Sequence, residues 1–402
     1  MSWEYVALGE LYEVHNGLSK GGKFFGKGSP FLSFSTVFNK WFLPQELLDL
    51  VQSTDNEQQS YSILRGDVFV TRTSETMDEL GMSSVALKDY PHATYNGFTK
   101  RLRPINPERI LPEFIGYYLR TAVFRAGFTA FSTMTTRASL RNEDLLSMKV
   151  PVPDMQTQKH ISSILSAYDD LVESNQKQIK LLEEAAQRLY KEWFVDLRFP
   201  GYETTPIVDG IPQGWERMVL SEVTSVLKRG ISPKYSDNGK YSVINQKCIR
   251  SSIMDISESR RQEKEYVPTL NLQDSDTVIC STGTGTLGRV GRVYGDYPNT
   301  TFDSHVTLVR AKENPNYIYH VVKSQQEYLM GMGRGSTNQQ ELYRDVIERL
   351  VVLCPSQDIL LKADRVLNAI HCKIKAVYLQ NNLLVESRDR LLPKLMSGEI
   401  EV

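Results

Sequence analysis

The chain repeats itself at a period near 200 residues, and a repeat of that length means a duplicated domain rather than a solenoid. Trp3-Glu4, followed by Leu8 and Glu10, returns as Trp215-Glu216, followed by Leu220 and Glu222. Asp89-Tyr90-Pro91 returns as Asp296-Tyr297-Pro298, Asn106-Pro107 as Asn314-Pro315, Leu140 as Leu342 and Pro153 as Pro355. From Leu140 the offset holds at 202 for about fifty residues, so that Leu181-Leu182 matches Leu383-Leu384, Glu184 matches Glu386, Arg188 matches Arg390 and Leu189 matches Leu391. The order is module, helix, module, helix.

Within each module, short β-type runs such as Asp67–Val70 and Thr277–Cys280 are bounded by Gly, Asp and Ser, and helical patterns follow over Pro112–Ala126 and Pro315–Met330. After each module, large or apolar residues recur in steps of four and three, as in a heptad seam. The first seam is Ile161, Leu165, Tyr168, Val172, Asn175, Ile179, Leu182, Ala186, Leu189 and Trp193. The second is Ala363, Leu367, Ile370, Ile374, Val377, Asn381, Leu384, Arg388, Leu391 and Leu395. Packed antiparallel with full overlap, Ile161 faces Leu395, Trp193 faces Ala363 and Asn175 meets Asn381, where two amides satisfy each other and fix the register; solvated asparagines are the plainer alternative. Tyr168 then faces Arg388, and Pro393 is expected to interrupt the last turn. A helix of this length spans about 48 Å at about 1.5 Å per residue, against about 34 Å for a turn of DNA.

The expectation is an α/β architecture of two similar domains, residues 1–153 and 200–355, separated by two long antiparallel helices, residues 154–199 and 356–402, forming a coiled coil. No apolar run approaches a membrane span, the N-terminus has no signal-peptide pattern, and the four scattered cysteines read as reduced thiols of a cytoplasmic protein. Residues 1–150 carry 16 basic and 16 acidic side chains and residues 201–355 carry 18 of each. A nucleic-acid binder of this neutrality must gather its cations on one face or borrow charge from partners.

No catalytic centre is expected. Gly283-Thr284-Gly285-Thr286-Leu287-Gly288 fits a dinucleotide fingerprint, but the following Arg289–Tyr294 alternates like a strand, whereas pyrophosphate binding needs a helix there. A glycine-rich hairpin is the alternative. There is no phosphate-binding P-loop, no amino-methyltransferase or nuclease motif and no nucleophile motif, and the six histidines lack metal-ligand spacing. His305 lies in a candidate DNA-facing stretch but reads as a satisfied structural histidine.

The run Leu189-Tyr190-Lys191-Glu192-Trp193-Phe194, continued by Arg198-Phe199-Pro200-Gly201-Tyr202, resembles the central conserved region of type I restriction-modification specificity subunits. Leu391–Ile400 resembles that family's second conserved region, and the openings around Trp3 and Trp215 resemble the starts of its target-recognition domains. The resemblance covers the whole chain. It implies a non-catalytic reader of a bipartite double-stranded DNA target, each domain reading one half and the helices setting the gap. It further implies two methyltransferase subunits docked on the helices and endonuclease/translocase subunits joining for restriction, with S-adenosylmethionine, ATP and Mg bound by those partners and no cofactor or metal by this chain. Tyr190, Trp193 and Phe194 form a dense aromatic cluster at a helix end, suited to a buried junction or a partner interface.

Contact residues are not given by the family motifs and are chosen by chemistry and position in the repeat. They are Lys20, Lys23 and Lys27, paralleled by Lys228, Arg229 and Lys234; Arg72 and Thr73, paralleled by Thr282 and Thr284, with Arg289 beyond; Thr135 and Arg137, paralleled by Arg334, Ser336, Asn338 and Gln339; and Gln246 with Lys247. The third pair is preferred, because a polar lead into a helix offers free N–H groups to phosphate. The rival readings are an enzyme with an unfamiliar site and a protein-binding scaffold or DNA mimic; a mimic should be strongly acidic, and this chain is near neutral.

Overall fold

A computed structural model describes residues 3–74, 80–131, 138–335 and 340–402. The chain forms two compact units, Met1–Glu173 with Asn382–Val402, and Ser174–Asn381. Each contains one sheet-rich module and a share of both long helices, Met155–Tyr190 and Gln357–Ser397.

In the first unit, an antiparallel four-stranded sheet runs in the order Tyr12–Asn16, Thr99–Pro104, Val68–Thr71, Ser83–Val85. A smaller sheet joins Leu50–Val51, Phe25–Leu32 and Thr94–Tyr95, the last pair parallel. Glu4–Ala7 pairs with Lys149–Val152 and ties the start of the module to its end. The second unit repeats this plan. Its four-stranded sheet runs Thr224–Arg229, Val306–Ala311, Thr277–Cys280, Val290–Arg292, its smaller sheet runs Arg260–Gln262, Tyr241–Ile244, Thr300–Phe302, and Glu216–Val219 pairs with Val351–Cys354.

The repeated motifs have matching local causes. Leu8 and Leu220 are fully buried and open one-turn helices whose amides bond Met148 O at 2.8 Å and Leu350 O at 2.9 Å. Two residues on, Glu10 and Glu222 accept from the backbone N–H of Ala7 and Val219, satisfying donors that a helix start leaves open. An ion pair on a buried carboxylate braces each four-stranded sheet. Arg103 donates bidentately to Asp67 at 2.8 and 2.6 Å, and Arg310 to Asp276 at 2.7 and 2.7 Å. The same two carboxylates cap turns through Leu64 N and Gln273 N. Each expected long module helix is broken once, into Pro112–Tyr118 and Ala122–Phe131, and into Pro315–Ser324 and Gln326–Gly331.

Within each unit the long helices pack antiparallel. Ile161 and Leu165 share the first core with Leu392, Leu395 and Met396. In the second unit Ile179 packs with Ile374 and Val377, and Tyr190 shares a core with Ala363. Asn175 Nδ2 donates to Asn381 Oδ1 at 2.9 Å, both residues being buried. Asn175 Nδ2 also reaches Gln380 Oε1 at 3.4 Å, so removing Asn175, which takes away the Asn381 partner, should cost about 1–3 kcal/mol and more than removing Asn381, whereas removing both should be close to neutral. A double-mutant cycle of Asn175→Leu and Asn381→Leu, followed by urea unfolding, should therefore show strong coupling, and additive effects would reject the pair as a unit.

Two expectations for the helices need correction. The second helix runs through Pro393 to Ser397. An internal proline costs about 3 kcal/mol, but Leu392, Leu395 and Met396 beside it are buried in the core, each returning about 1.5–3 kcal/mol. Arg388 lies over Trp41 at 4.7 Å and donates to Asp169 at 2.5 Å rather than stacking on Tyr168. A charged acceptor one residue along the helix holds the guanidinium better than a ring face.

Candidate nucleic-acid interface

In each module, the turn before the central strand of the four-stranded sheet meets the loop after the neighbouring strand. In the first, Leu18 bridges Asn96, Asn96 Oδ1 accepts from Phe98 N at 2.7 Å, and Phe98 O accepts from Arg72 N at 3.0 Å. In the second, Ile231 bridges Asp303, Asp303 Oδ1 accepts from His305 N at 2.8 Å, and His305 O accepts from Ser281 N at 2.8 Å. Leu140 N and Leu342 N close the arrangement on Arg72 O and Ser281 O. The approach admits only glycine at Gly17 and Gly230, where an added Cβ would stand 2.1 and 2.2 Å from carbonyl oxygens of the turn. Arg72 therefore corresponds to Ser281 and Thr73 to Thr282, one residue off the alignment expected from sequence.

The candidate cations divide by what already holds them. Lys20 donates to Glu57 at 2.7 Å and to Gln52 O at 2.5 Å, and this bond is the main reason the Glu57 carboxyl titrates below its usual range. Arg229 donates to Ser304 O at 2.5 Å and is ion-paired with Glu341. Lys234 pairs with Glu263 at 2.8 Å. Each of the three thus has an intramolecular carboxylate partner that sequence reasoning did not foresee, because folding brings Glu57, Glu341 and Glu263 within reach. Lys23, Lys27, Lys228, Lys247, Thr284 and Arg334 are exposed, Arg334 lying over Tyr343, while Arg72, Thr73, Gln246, Thr282 and Arg289 are half-buried. Thr135, Arg137, Ser336, Asn338 and Gln339 lie outside the described residues.

Gly283, Gly285 and Gly288 all have positive φ, and the loop leads into the strand Val290–Arg292, not a helix. It offers no helix terminus to a pyrophosphate and forms the edge of the second module's loop cluster, with Thr282 bridged to Glu341. Arg260, exposed and 3.7 Å over Tyr235, and the exposed Arg261 add cations that sequence reasoning missed. The doublet Arg260-Arg261 was the available signal.

The aromatic cluster is a junction of the chain with itself. Tyr190 and Phe194 are buried, Phe194 packing on Tyr317 at 4.8 Å and 6.0 Å from Trp215. Trp193 is half-buried against Phe194. Of the two readings of this cluster, a buried junction or a partner interface, the packing is that of the junction. The neighbouring module supplies aromatic partners that fill the same space.

Each unit also bonds its module to a long helix at one equivalent place. In the first, Tyr117 donates to Asp169 Oδ2 at 2.6 Å, and Asp169 Oδ1 holds Arg388. Counted from the helix starts, where Pro315 stands for Pro112 and not for Pro107 as the sequence match had it, the corresponding residues in the second are His320 and His371, joined Nε2 to Nε2 at 3.0 Å, with His371 Nδ1 on the Tyr294 hydroxyl at 2.8 Å. Burial, reinforced by Arg292, lowers the two histidines to about 3 and about 2. Arg292 is itself buried, donating to Asn316, which reaches Asp364 on the helix.

Among the described residues no cluster of three or more His, Cys, Asp or Glu side chains is placed to hold a metal, and no helix is long and apolar enough to cross a membrane. The family described as "Type I restriction modification DNA specificity domain" matches residues 1–184 and 212–359. The chain is 27% identical over 336 residues to the type I restriction enzyme MjaIX specificity subunit of Methanocaldococcus jannaschii, covering 79% of this chain and 75% of that protein. It is 23% identical over 373 residues to the type I restriction enzyme HindI specificity subunit of Haemophilus influenzae, covering 73% and 79%. The crystal structure of a type I restriction-modification S subunit from M. genitalium shares the fold, with a TM-score of 0.56 at 15% identity over 98% of this chain and 96% of that one.

Proposed function

The chain belongs to the type I restriction-modification DNA specificity family, and from that premise we propose that it reads a bipartite DNA target and positions catalytic partners on it. It is a specificity subunit that recognises DNA sequence. Each module, residues 1–153 and 200–355, reads one half of the target. The helices, residues 154–199 and 356–402, set the unspecified gap and receive two methyltransferase subunits, with endonuclease/translocase subunits joining for cleavage. S-adenosylmethionine, ATP and Mg belong to those partners, and the assembly works in the cytoplasm.

The observation that carries this reading is the repetition of one sheet topology and one turn geometry in both modules, with different side chains at the tips. A shared frame with unlike tips suits two readers of unlike half-sites. Lys23, Lys27, Lys228, Lys247 and Arg334, exposed and with no carboxylate partner among the described residues, are suited to phosphate. Sequence information must come from groups that reach base edges.

The test is methylome sequencing of cells expressing this chain with its cognate methyltransferase subunit, beside cells expressing the methyltransferase alone. A split motif with a fixed gap, methylated only when this chain is present, is the expected result. Exchange of residues 1–153 for another family module should alter one half of that motif and leave the other. No motif despite an assembled complex would overturn the reading.

A further inference from the structure

The Asx turns of the two modules each aim one side chain outward from an otherwise packed tip. Gly97 and Thr99 are buried while Phe98 between them is 57% exposed. At the equivalent place in the second module, Ser304 is half-buried, Val306 is buried and His305 between them is exposed. A single exposed phenylalanine is unremarkable on its own. What sets Phe98 apart is that the same hydrogen bonds, from residue i+2 back to the Asx side chain and from the next strand's N–H to the i+2 carbonyl, fix the two tips identically while their chemistry differs.

The backbone geometry thus holds a constant mount with an interchangeable head. His305 is held further. Its Nδ1 lies 2.6 Å from Thr282 Oγ1, and its Nε2 has no hydrogen bond among the described residues. In the tautomer in which the Thr282 hydroxyl donates to Nδ1, the ring proton sits on Nε2 and is presented outward as a donor. Arg229 steadies the same turn through Ser304 O. Phe98 offers only an apolar face, which among base-edge groups matches the thymine methyl; an outward N–H matches the purine N7 acceptor.

We propose that Phe98 and His305 are equivalent specificity-determining residues, Phe98 contacting a thymine methyl in one half-site and His305 donating to a purine N7 in the other. The inference rests on the DNA-reader function proposed above. Arg229 and Thr282 are positioning residues for the second tip.

The test uses the assembled complex with its methyltransferase and, as probe, a duplex bearing the motif found by methylome sequencing. Deoxyuridine replaces each thymine of the first half-site in turn, and 7-deazapurines replace each purine of the second. One deoxyuridine position should weaken wild-type binding about five-fold and leave the Phe98→Ala complex unchanged by the swap. One 7-deazapurine position should do the same for wild type against His305→Ala. Thr282→Val should reduce the His305 effect, which a merely structural histidine would not show. Losses that add at every position, or variants with the wild-type profile throughout, overturn the inference while the methylome motif keeps the reader function standing. Absence of any motif in the wild-type complex overturns both.

Discussion

Replacing Asp276 by Ala is expected to destabilise the second unit by about 3–5 kcal/mol, the usual cost of removing one partner of a buried ion pair. The Asp276 side chain is almost fully enclosed, while Arg310 keeps 16% of its side-chain exposure. The substitution leaves the guanidinium with only Thr269 O and Asn271 O, and strips Gln273 N of its acceptor. A unit with a total stability of about 5–15 kcal/mol would lose a large fraction of it. The pair as a whole need not stabilise, since its mutual attraction is offset by desolvation. Asp276→Leu with Arg310→Met should therefore recover most of the loss. Urea unfolding of the three proteins measures this, and a single-variant loss below about 1 kcal/mol would reject it. Asp67 and Arg103 pair likewise in the first unit, but Arg103 is 28% exposed, so Asp67→Ala should destabilise that unit less.

The second expected effect is acid sensitivity localised to the histidine junction. His320 and His371 are buried neutral, enclosed by Tyr190, Tyr294, Tyr319, Arg292 and Lys323. Their folded values, about 3 and about 2, lie below the ordinary 6.5. The unfolded chain therefore binds more protons than the folded one across this interval, and stability rises with pH there. Read downward, stability is intact above pH 6.5 and drains away as pH falls from there toward the folded values. Between pH 7 and pH 5 the two groups together should cost about 4 kcal/mol. Thermal or urea unfolding of wild type and of His320→Gln/His371→Gln at both pH values isolates their share. Equal pH slopes in the two proteins would reject the assignment.

Much of the architecture was readable from periodicity. The 202-residue offset announced two alike modules, and the alternating four-and-three steps announced long paired helices. What misled was local evidence with a tertiary answer. Pro393 is a helix breaker by every local rule, yet it stays helical because its neighbours are buried. Tyr190, Trp193 and Phe194 look the same in sequence whether they await a partner or meet Tyr317 and Trp215. Lys20, Arg229 and Lys234 read as free cations until Glu57, Glu341 and Glu263 are brought beside them by folding. Phe98 and His305 could not be recognised as counterparts at all, because a phenylalanine and a histidine align only once the hydrogen bonds of their turns are seen to coincide.

The differing junctions bear on how such a gene can be reshuffled. Tyr117 is encoded with the first module, but the Asp169 it bonds lies beyond the module on the helix; His320 and His371 are divided in the same manner. A recombination event at the module boundary therefore inherits only half of a matched pair. A newcomer carrying histidine where Tyr117 stands would set an imidazole against a carboxylate already holding Arg388. One carrying tyrosine in place of His320 would face an imidazole that already holds the Tyr294 hydroxyl. Exchange of modules between the two slots is therefore expected to need a compensating change on the helix, whereas exchange within a slot is not.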